Sequence, residues 1–452
     1  MIAGSEIIEK QVLEKVTPSP KERKDLENVI KQLKVEVKNE IEKSKLKVSI
    51  VLVGSTAKET YLKDSVDIDL FLLFSTSISR RQLQETGLSI GRSILKNQEE
   101  CFAEHPYIRG IYKGVKTEIV PCYKIESASQ KLSAVDRTPL HTSYIKEHIS
   151  ESQKKEVRLF KQFLKGIGCY GAEAEIEGFS GYLCEILILE YSSFQNLIIN
   201  VQNWQYGEKL SLTQAKSPHF DTPLVFIDPV DNERNVSSAL SIEKFAIFVK
   251  ACKEYIKKPC ITFFFPKDVK PWSIDKIKKE IGPREVIAVR AEKPPIIPEN
   301  LYPQVRKAVR SIKEMCERYE FTILDSKFHI NNTSIYMILF PEKRTISKTM
   351  LHMGPPVKMK KNADEFIQRW ADNHRTIGKP FEKDKRFYVE IDRKYTDIKD
   401  LLEEHVKNLS LGKHIDKVVK RDFTILERDN LLIGDLRIFW TEYLDKKMPW
   451  ER

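Results

Sequence analysis

The sequence predicts a multidomain α+β protein that opens with an α/β unit, continues through a mainly helical middle and ends in a lysine-rich α+β region. Three observations predict this. Residues 26–41 carry an apolar stripe at helical spacing, followed by short apolar runs of strand length. From residue 156 the helical spacing returns, and after a proline-rich segment at 293–298 helices and strands mix again. With 452 residues the chain exceeds what one core organises, so two to three domains are expected. The changes of pattern place them at 1–140, 141–266 and 267–452.

Ser19-Pro20-Lys21-Glu22 offers an N-cap serine, a proline at the first helical position and a glutamate that closes a capping box. Leu26, Ile30, Leu33, Val37 and Ile41 then line one helix face up to the polar break Ser44-Lys45. Residues 48–53 read as a short buried strand ending at Gly54-Ser55. Residues 65–74 read as the next strand, apolar throughout after Asp69 as in a strand covered on both faces. A turn at Lys113-Gly114 brings 115–120 in as a further strand. In the middle region Val157, Phe160, Phe163, Leu164 and Ile167 share a helical stripe that stops around Gly166 and Gly168. Ser180 caps a helix through Leu183, Ile186 and Leu187, and a further helix spans 241–258 before Pro259. Residues 261–265 and 286–289 read as strands, and Lys293-Pro294-Pro295 with Pro298 as a linker into a helix over 303–319. Strands over 321–324 and 335–340 follow, with no internal repeat.

Lys plus Arg number 76 against 65 Asp plus Glu, a net charge of +11 that favours a polyanionic partner, nucleic acid before a membrane surface. Hydrophobic residues at 41% and charged residues at 31% exclude a disordered or collagen-like chain. No apolar run approaches the ~20 residues that cross a bilayer, and the N-terminal segment is charged where a signal peptide is apolar, so a cytoplasmic protein without membrane contact is expected. Seven scattered cysteines form no CxxC pair, which argues for free thiols over a zinc site or a disulfide framework.

The chemistry concentrates in Gly54-Ser55-Thr56-Ala57-Lys58 and Asp67-Ile68-Asp69. Strand alternation puts Asp67 and Asp69 on one face, with Ile68 and Leu70 turned to the core. Adjacent carboxylates repel, and a divalent cation such as Mg²⁺, which takes carboxylate and phosphate oxygens together, relieves them. Gly54-Ser55 lies where a strand turns into a helix, so backbone N–H groups and a hydroxyl can approach a triphosphate. Glu118 alternates with Ile119 on a later strand as a third carboxylate. Three such acids suit in-line phosphoryl transfer with two metal ions roughly 4 Å apart.

The stretch GSTAKETYLKDSVDIDLFLLF resembles the nucleotidyltransferase signature of the DNA polymerase beta superfamily, and in particular that of the archaeal, class I CCA-adding enzymes. FAEHPYIRGIYKGVKTEIVPCYK, DRTPLHTSYIKEH, EVRLFKQFLKGIGCYGAE, GFSGYLCEILILEYSSF, DPVDNERNV and HMGPPV resemble that family in the same order. The resemblance implies a nucleotidyltransferase head with a small mixed sheet, a helical central nucleotide-binding domain and an α+β body and tail that hold tRNA. It implies a homodimer that adds the 3′-terminal CCA of tRNA from CTP and ATP with Mg²⁺ and releases pyrophosphate. Poly(A) polymerases and oligoadenylate synthetases share the GS and DxD machinery, and an inactive RNA-binding scaffold is the non-enzymatic alternative. By the same resemblance Asp67, Asp69 and Glu118 ligate metal and carry catalysis, while Ser55, Lys58, His141, Lys161 and Tyr170 contact the triphosphate or sugar. Lys161 shares a helix face with Arg158 and Lys165, which reads as a basic stripe facing phosphate. Arg234 and Asn235 resemble the family's base-reading element. Arg306 and Arg310 on one helix face, with Lys358, Lys360 and Lys361 beyond the HMGPPV segment, are the candidate tRNA contacts. Three positions depart from the family's commoner residues: Lys58 replaces arginine, Asp67 glutamate and Glu118 aspartate.

Overall fold

The structure, a computed structural model, describes residues 2, 4–102, 105–214 and 217–452. The chain divides into two compact units, Met1–Asp268 with Lys447–Arg452, and Val269–Lys446. In the first unit α1 (Ser5–Val16), which the sequence reading did not anticipate, precedes α2 (Pro20–Ser44). The capping box at the start of α2 is formed: Glu22 N–H donates to Ser19 Oγ at 3.2 Å and Ser19 N–H to Glu22 Oε2 at 2.8 Å. Such a cap contributes ~1 kcal/mol.

The buried stripe Leu26, Ile30, Leu33, Val37 and Ile41 of α2 shares a core with a five-stranded mixed sheet. Its elements are β1 (Val48–Val53), α3 (Gly54–Ala57), β2 (Asp67–Phe74), α4 (Arg80–Ile94), β3 (Lys96–Phe102), β4 (Pro106–Tyr112) and β5 (Val115–Tyr123). The strand order is β1-β2-β5-β4-β3, with only β2 and β5 parallel. Ile68, Leu70, Leu72 and Phe74 enter the α2 core, whereas Phe71 and Leu73 join Val53, Val120 and Cys122 in a smaller cluster on the opposite face. That second cluster explains why β2 is apolar throughout after Asp69.

The helical middle comprises α5 (Thr138–His148), α6 (Glu151–Gly166), α7 (Gly181–Tyr191), α8 (Phe194–Val201), a three-stranded sheet of β6 (Glu208–Ser211), β7 (Leu224–Asp228) and β8 (Asp231–Asn235), and α9 (Ile242–Lys257). Phe160, Phe163, Phe194, Phe248, Tyr255 and Phe264 form its aromatic centre. The strand expected at 261–265 is instead a 3-10 turn over Ile261–Phe263. Its apolar run serves to drop Phe263 and Phe264 into that centre, and short apolar runs do not discriminate between the two conformations. Trp450 stacks on Phe263 at 5.3 Å, so the last residues close this unit.

The second unit contains, in order, α10 (Ile274–Ile281), β9 (Ile287–Glu292), α11 (Pro298–Arg318), β10 (Ile323–Ile330), β11 (Ser334–Pro341), β12 (Thr349–Pro356), α12 (Lys360–Ala371), β13 (Thr376–Lys383), β14 (Arg386–Asp392), α13 (Ile398–His405), α14 (Lys413–Arg421), β15 (Thr424–Glu427), α15 (Arg428–Leu431) and α16 (Arg437–Asp445). Strands β10-β11-β9-β15 form an antiparallel sheet, with α11, α13 and α14 in the core of one face and α10 and α16 in that of the other. Strands β12-β14-β13 form a second sheet, and HMGPPV lies mostly on β12. Helix α11 starts at Pro298, earlier than the sequence reading put it, and carries Pro303 inside. The proline removes one intrahelical bond near the helix start, offset by burial of Leu301 and Val305 on either side. Among the described residues no helix is long and apolar enough to cross a membrane, and all seven cysteines are free.

Candidate active site

Register places the acids. Asp69 stands opposite Glu118 on the parallel pair β2·β5, and Asp67 opposite Lys116. Val53, the end of β1, is opposite Asp69, and there the chain turns at Gly54 with φ 73° into α3. Only glycine suits this turn, because a Cβ at Gly54 would lie 1.9 Å from Asp69 Oδ2 and the backbone is left-handed. Thr56 Oγ1 donates to the Asp67 carbonyl at 2.5 Å and ties the turn to the strand. Asp67 is exposed and Asp69 half-buried, while Ile68 and Leu70 are fully buried, as strand alternation requires.

Among the described residues neither the Asp67 nor the Asp69 side chain has a hydrogen bond or ion pair. Burial, with the charges of Glu118 and Asp67 added, pushes Asp69 up to about 7. Clustered negative charge of this kind is what a divalent ion relieves, so the pair fits one. Glu118 is held differently: Arg109 Nε donates to its Oε1 at 2.7 Å. Among the described residues no three His, Cys, Asp or Glu side chains already stand close enough together to form a metal cage. Arg109 was not singled out in the sequence, although its place on β4 directly across from Glu118 follows from the hairpin register.

The candidate phosphate contacts lie around a buried carboxylate that the sequence reading also missed. Ser55 is half-buried on α3. Lys58 is buried and ion-paired to Glu185 of α7 at 2.5 Å. Lys161 of α6, 1% exposed, donates to the Thr60 carbonyl and Oγ1 at 3.1 Å each and lies 3.4 Å from Glu185 Oε1. Thr60 Oγ1 donates to the same Glu185 oxygen. Burial raises the Glu185 carboxyl, but the two ammonium groups outweigh it and hold it below the usual carboxylate range. Two lysines thus share one glutamate in the interior, and burial, with the Lys58 charge added, lowers the Lys161 ammonium below its ordinary range against the pull of Glu185.

The open basic stripe expected along α6 is not formed. Arg158 is buried and donates to the Tyr61 and Glu59 carbonyls, and Lys161 is enclosed, so only Lys165 reaches solvent, over the Tyr170 ring at 5.7 Å. These cations face inward because the 58–61 segment offers carbonyls and a hydroxyl that must be satisfied once covered. Tyr170 bridges to Phe179, and Gly181 leaves room for it, since a Cβ there would sit 3.3 Å from Tyr170 Oη.

A third cluster gathers on Asp228 at the end of β7. His141 Nε2 lies 2.8 Å from Oδ2, Arg234 donates to Oδ2 at 2.8 Å and Tyr182 Oη to Oδ1 at 3.1 Å. Burial opposes its ionisation, yet His141 and Arg234 prevail and hold Asp228 at about 2. His141 stacks on Tyr182 with centroids 4.2 Å apart, and burial lowers its own pKa. The Lys58 ammonium lies 5.8 Å from the Tyr182 ring, which connects this cluster to the glycine turn. Asn235 is not turned to the site: its amide donates to Thr222 Oγ1 and the Leu224 carbonyl, and its oxygen accepts from the Phe226 and Ser237 N–H groups. It therefore locks the hairpin that carries Arg234.

In the second unit Arg306 lies 5.9 Å from the rings of both Tyr302 and Phe328, and Arg310 is exposed one turn further along α11. Lys358, Lys360 and Lys361 are exposed at the start of α12.

Three family models match the chain in succession: a nucleotidyltransferase domain over 30–141, the second domain of tRNA nucleotidyltransferases over 155–265 and the C-terminal domain of CCA-adding enzymes over 284–428. The chain is 36% identical to a CCA-adding enzyme of Methanosarcina barkeri over 442 residues, 96% of this chain and 97% of that protein. It is 37% identical to a CCA-adding enzyme of Archaeoglobus fulgidus, covering 94% and 95% of the two chains. The chain belongs to the CCA-adding enzymes. As a member of that family it is a tRNA nucleotidyltransferase, and the acids of β2 and β5 fall within its nucleotidyltransferase segment. Among solved structures, the Cid1 poly(U) polymerase with Mg and 3′-dATP aligns with 14% identity and a TM-score of 0.43, over 56% of this chain and 92% of that one.

Proposed function

We propose that this CCA-adding enzyme builds or repairs the 3′ end of tRNA, adding C, C and A in turn from CTP and ATP and releasing pyrophosphate. The observation that carries the reading is the unpartnered pair Asp67 and Asp69 beside the Gly54 turn, with Glu118 in register on the next strand. Mg²⁺ held by Asp67 and Asp69, with Glu118 as third acid, would supply charge for the triphosphate and lower the pKa of the attacking RNA hydroxyl. The residues around it have definable tasks. Ser55 and the N–H groups opening α3 receive phosphate oxygens, and Lys58 and Lys161, gathered on Glu185, are the cations assigned to the triphosphate. Lys165 and Tyr170 flank the approach to Asp67, and His141 is aligned by Asp228 and Tyr182. Arg234, held by Asp228 on a hairpin locked by Asn235, presents a planar fork to the base. Residues 1–140 carry the chemistry, 141–266 the nucleotide, and 267–452 the tRNA body through Arg306, Arg310, Lys358, Lys360 and Lys361.

The test offers tRNA lacking its terminal CCA, with Mg²⁺, CTP and ATP singly and together. CTP alone should add two residues, both nucleotides three, and ATP alone none. A ladder of A residues from ATP alone would favour the poly(A)-type reading, and no extension at all the inactive scaffold.

A further inference from the structure

Four residues stand in register across the five-stranded sheet: Glu99 on β3, Arg109 on β4, Glu118 on β5 and Asp69 on β2. Directly opposed side chains on one sheet face are neighbours, with Cβ atoms ~5 Å apart. Charge alternates along the first three, then fails to alternate at Glu118 and Asp69. Arg109 is anchored on three sides. Its Nε donates to Glu118 Oε1 at 2.7 Å, one terminal nitrogen donates to Tyr107 Oη at 3.1 Å, and the other lies 3.5 Å from Glu99 Oε1. Among the described residues nothing donates to Glu118 Oε2. A glutamate has one more rotatable bond than an aspartate, so it needs an outside hold to keep its carboxylate in one place.

We propose that Arg109 is the positioning residue of the third carboxylate: anchored by Tyr107 and Glu99, it fixes Glu118 Oε1 and leaves Oε2 to complete the cation site begun by Asp67 and Asp69. The inference rests on the reading of Glu118 as a metal ligand given above. Residues that hydrogen-bond a ligating carboxylate are typically worth 10–100-fold in metal affinity or activity.

The experiment measures Mn²⁺ binding to the full-length protein in the presence of CTP, by the loss of the free-ion paramagnetic resonance signal, for wild type, Arg109→Gln, Arg109→Lys and Glu118→Gln. Alongside it, the Mg²⁺ concentration for half-maximal CMP addition, the KM for CTP and the thermal midpoint are recorded. Arg109→Gln should weaken Mn²⁺ ~10-fold or more and raise the Mg²⁺ requirement equally, with little change in KM for CTP. Arg109→Lys, which keeps the charge without the planar fork, should recover part of the loss. An Arg109→Gln protein that binds Mn²⁺ like wild type while Glu118→Gln is impaired overturns the role of Arg109, whatever its thermal midpoint. If Glu118→Gln itself binds Mn²⁺ and adds CMP like wild type, the underlying reading of Glu118 falls instead.

Discussion

Asp69 and Asp228 are carboxylates of the same unit whose surroundings act on them in opposite directions. Asp69, pushed by burial and by the charges of Glu118 and Asp67 against the weaker pull of Lys58 and Arg109, rises to about 7, whereas Asp228, between His141 and Arg234, is held at about 2. A carboxylate whose folded pKa lies below its ordinary 3.8 stabilises the protein above that pH and loses the contribution as pH falls toward 2. Asp228→Asn should therefore flatten the acid limb of a stability-against-pH curve between those values and loosen Arg234, raising KM for the nucleotide. Thermal midpoints across that range check it, and an unchanged acid limb would show that Asp228 contributes nothing to pH dependence. The role of Asp67, Asp69 and Glu118 as metal ligands was an expectation drawn from the resemblance, while the placement of Asp67 and Asp69 on one strand face, with Glu118 on a later strand, was legible from alternation. Glu185 was not, because its partner Lys58 is 127 residues away, yet a signal existed: it is the one charged residue among the buried positions 183–188 of α7. A carboxylate in such a run must be paired. Asn235 was expected beside Arg234 as part of a base-reading element, and a motif does not reveal that its amide already serves its own hairpin.

Elements bounded by a cap or a glycine were legible, and those defined by remote packing were not. Helix α2 carries its own capping box, and β1 runs from Val48 to Val53 where a strand was expected, although only Val53 is fully buried because β1 is the edge of the sheet. Helix α1 and the 261–263 turn have weak periodicity, and the aromatic core decides both. At the junction of β1 and α3 the element depends on one residue. Gly54→Ala should cost at least ~1 kcal/mol through its left-handed backbone, and should reduce nucleotide addition further because the added carbon displaces the Asp69 carboxylate. Urea unfolding and single-turnover rates together test this. A variant of normal stability and rate would mean that the turn and Asp69 are not in the contact described.

The net charge of +11 suits a polyanionic partner such as tRNA. Lys360 and Lys361 stand in the first turn of α12, where a helix dipole favours anions, so they lower stability slightly where they are. Replacing Lys358, Lys360 and Lys361 together by glutamine should leave stability unchanged or a little higher. It should also make the slope of log affinity for tRNA against log salt shallower by roughly 2. Binding measured at several salt concentrations tests this, and an unchanged slope would make them ordinary solvated charges. Three domains were expected where the structure forms two compact units, and the antiparallel pairing of β12, β13 and β14 depends on contacts that no local pattern announced. Metal-dependent nucleotide transfer by the unpartnered acids of β2 is put to the test by single-turnover CMP addition to tRNA lacking CCA by Asp69→Asn, with tRNA affinity and thermal midpoint measured on the same protein. The variant should fold and bind tRNA like wild type with the rate reduced ~10³-fold or more; addition at the wild-type rate by the folded variant would rule out Asp69 as a metal ligand of the reaction.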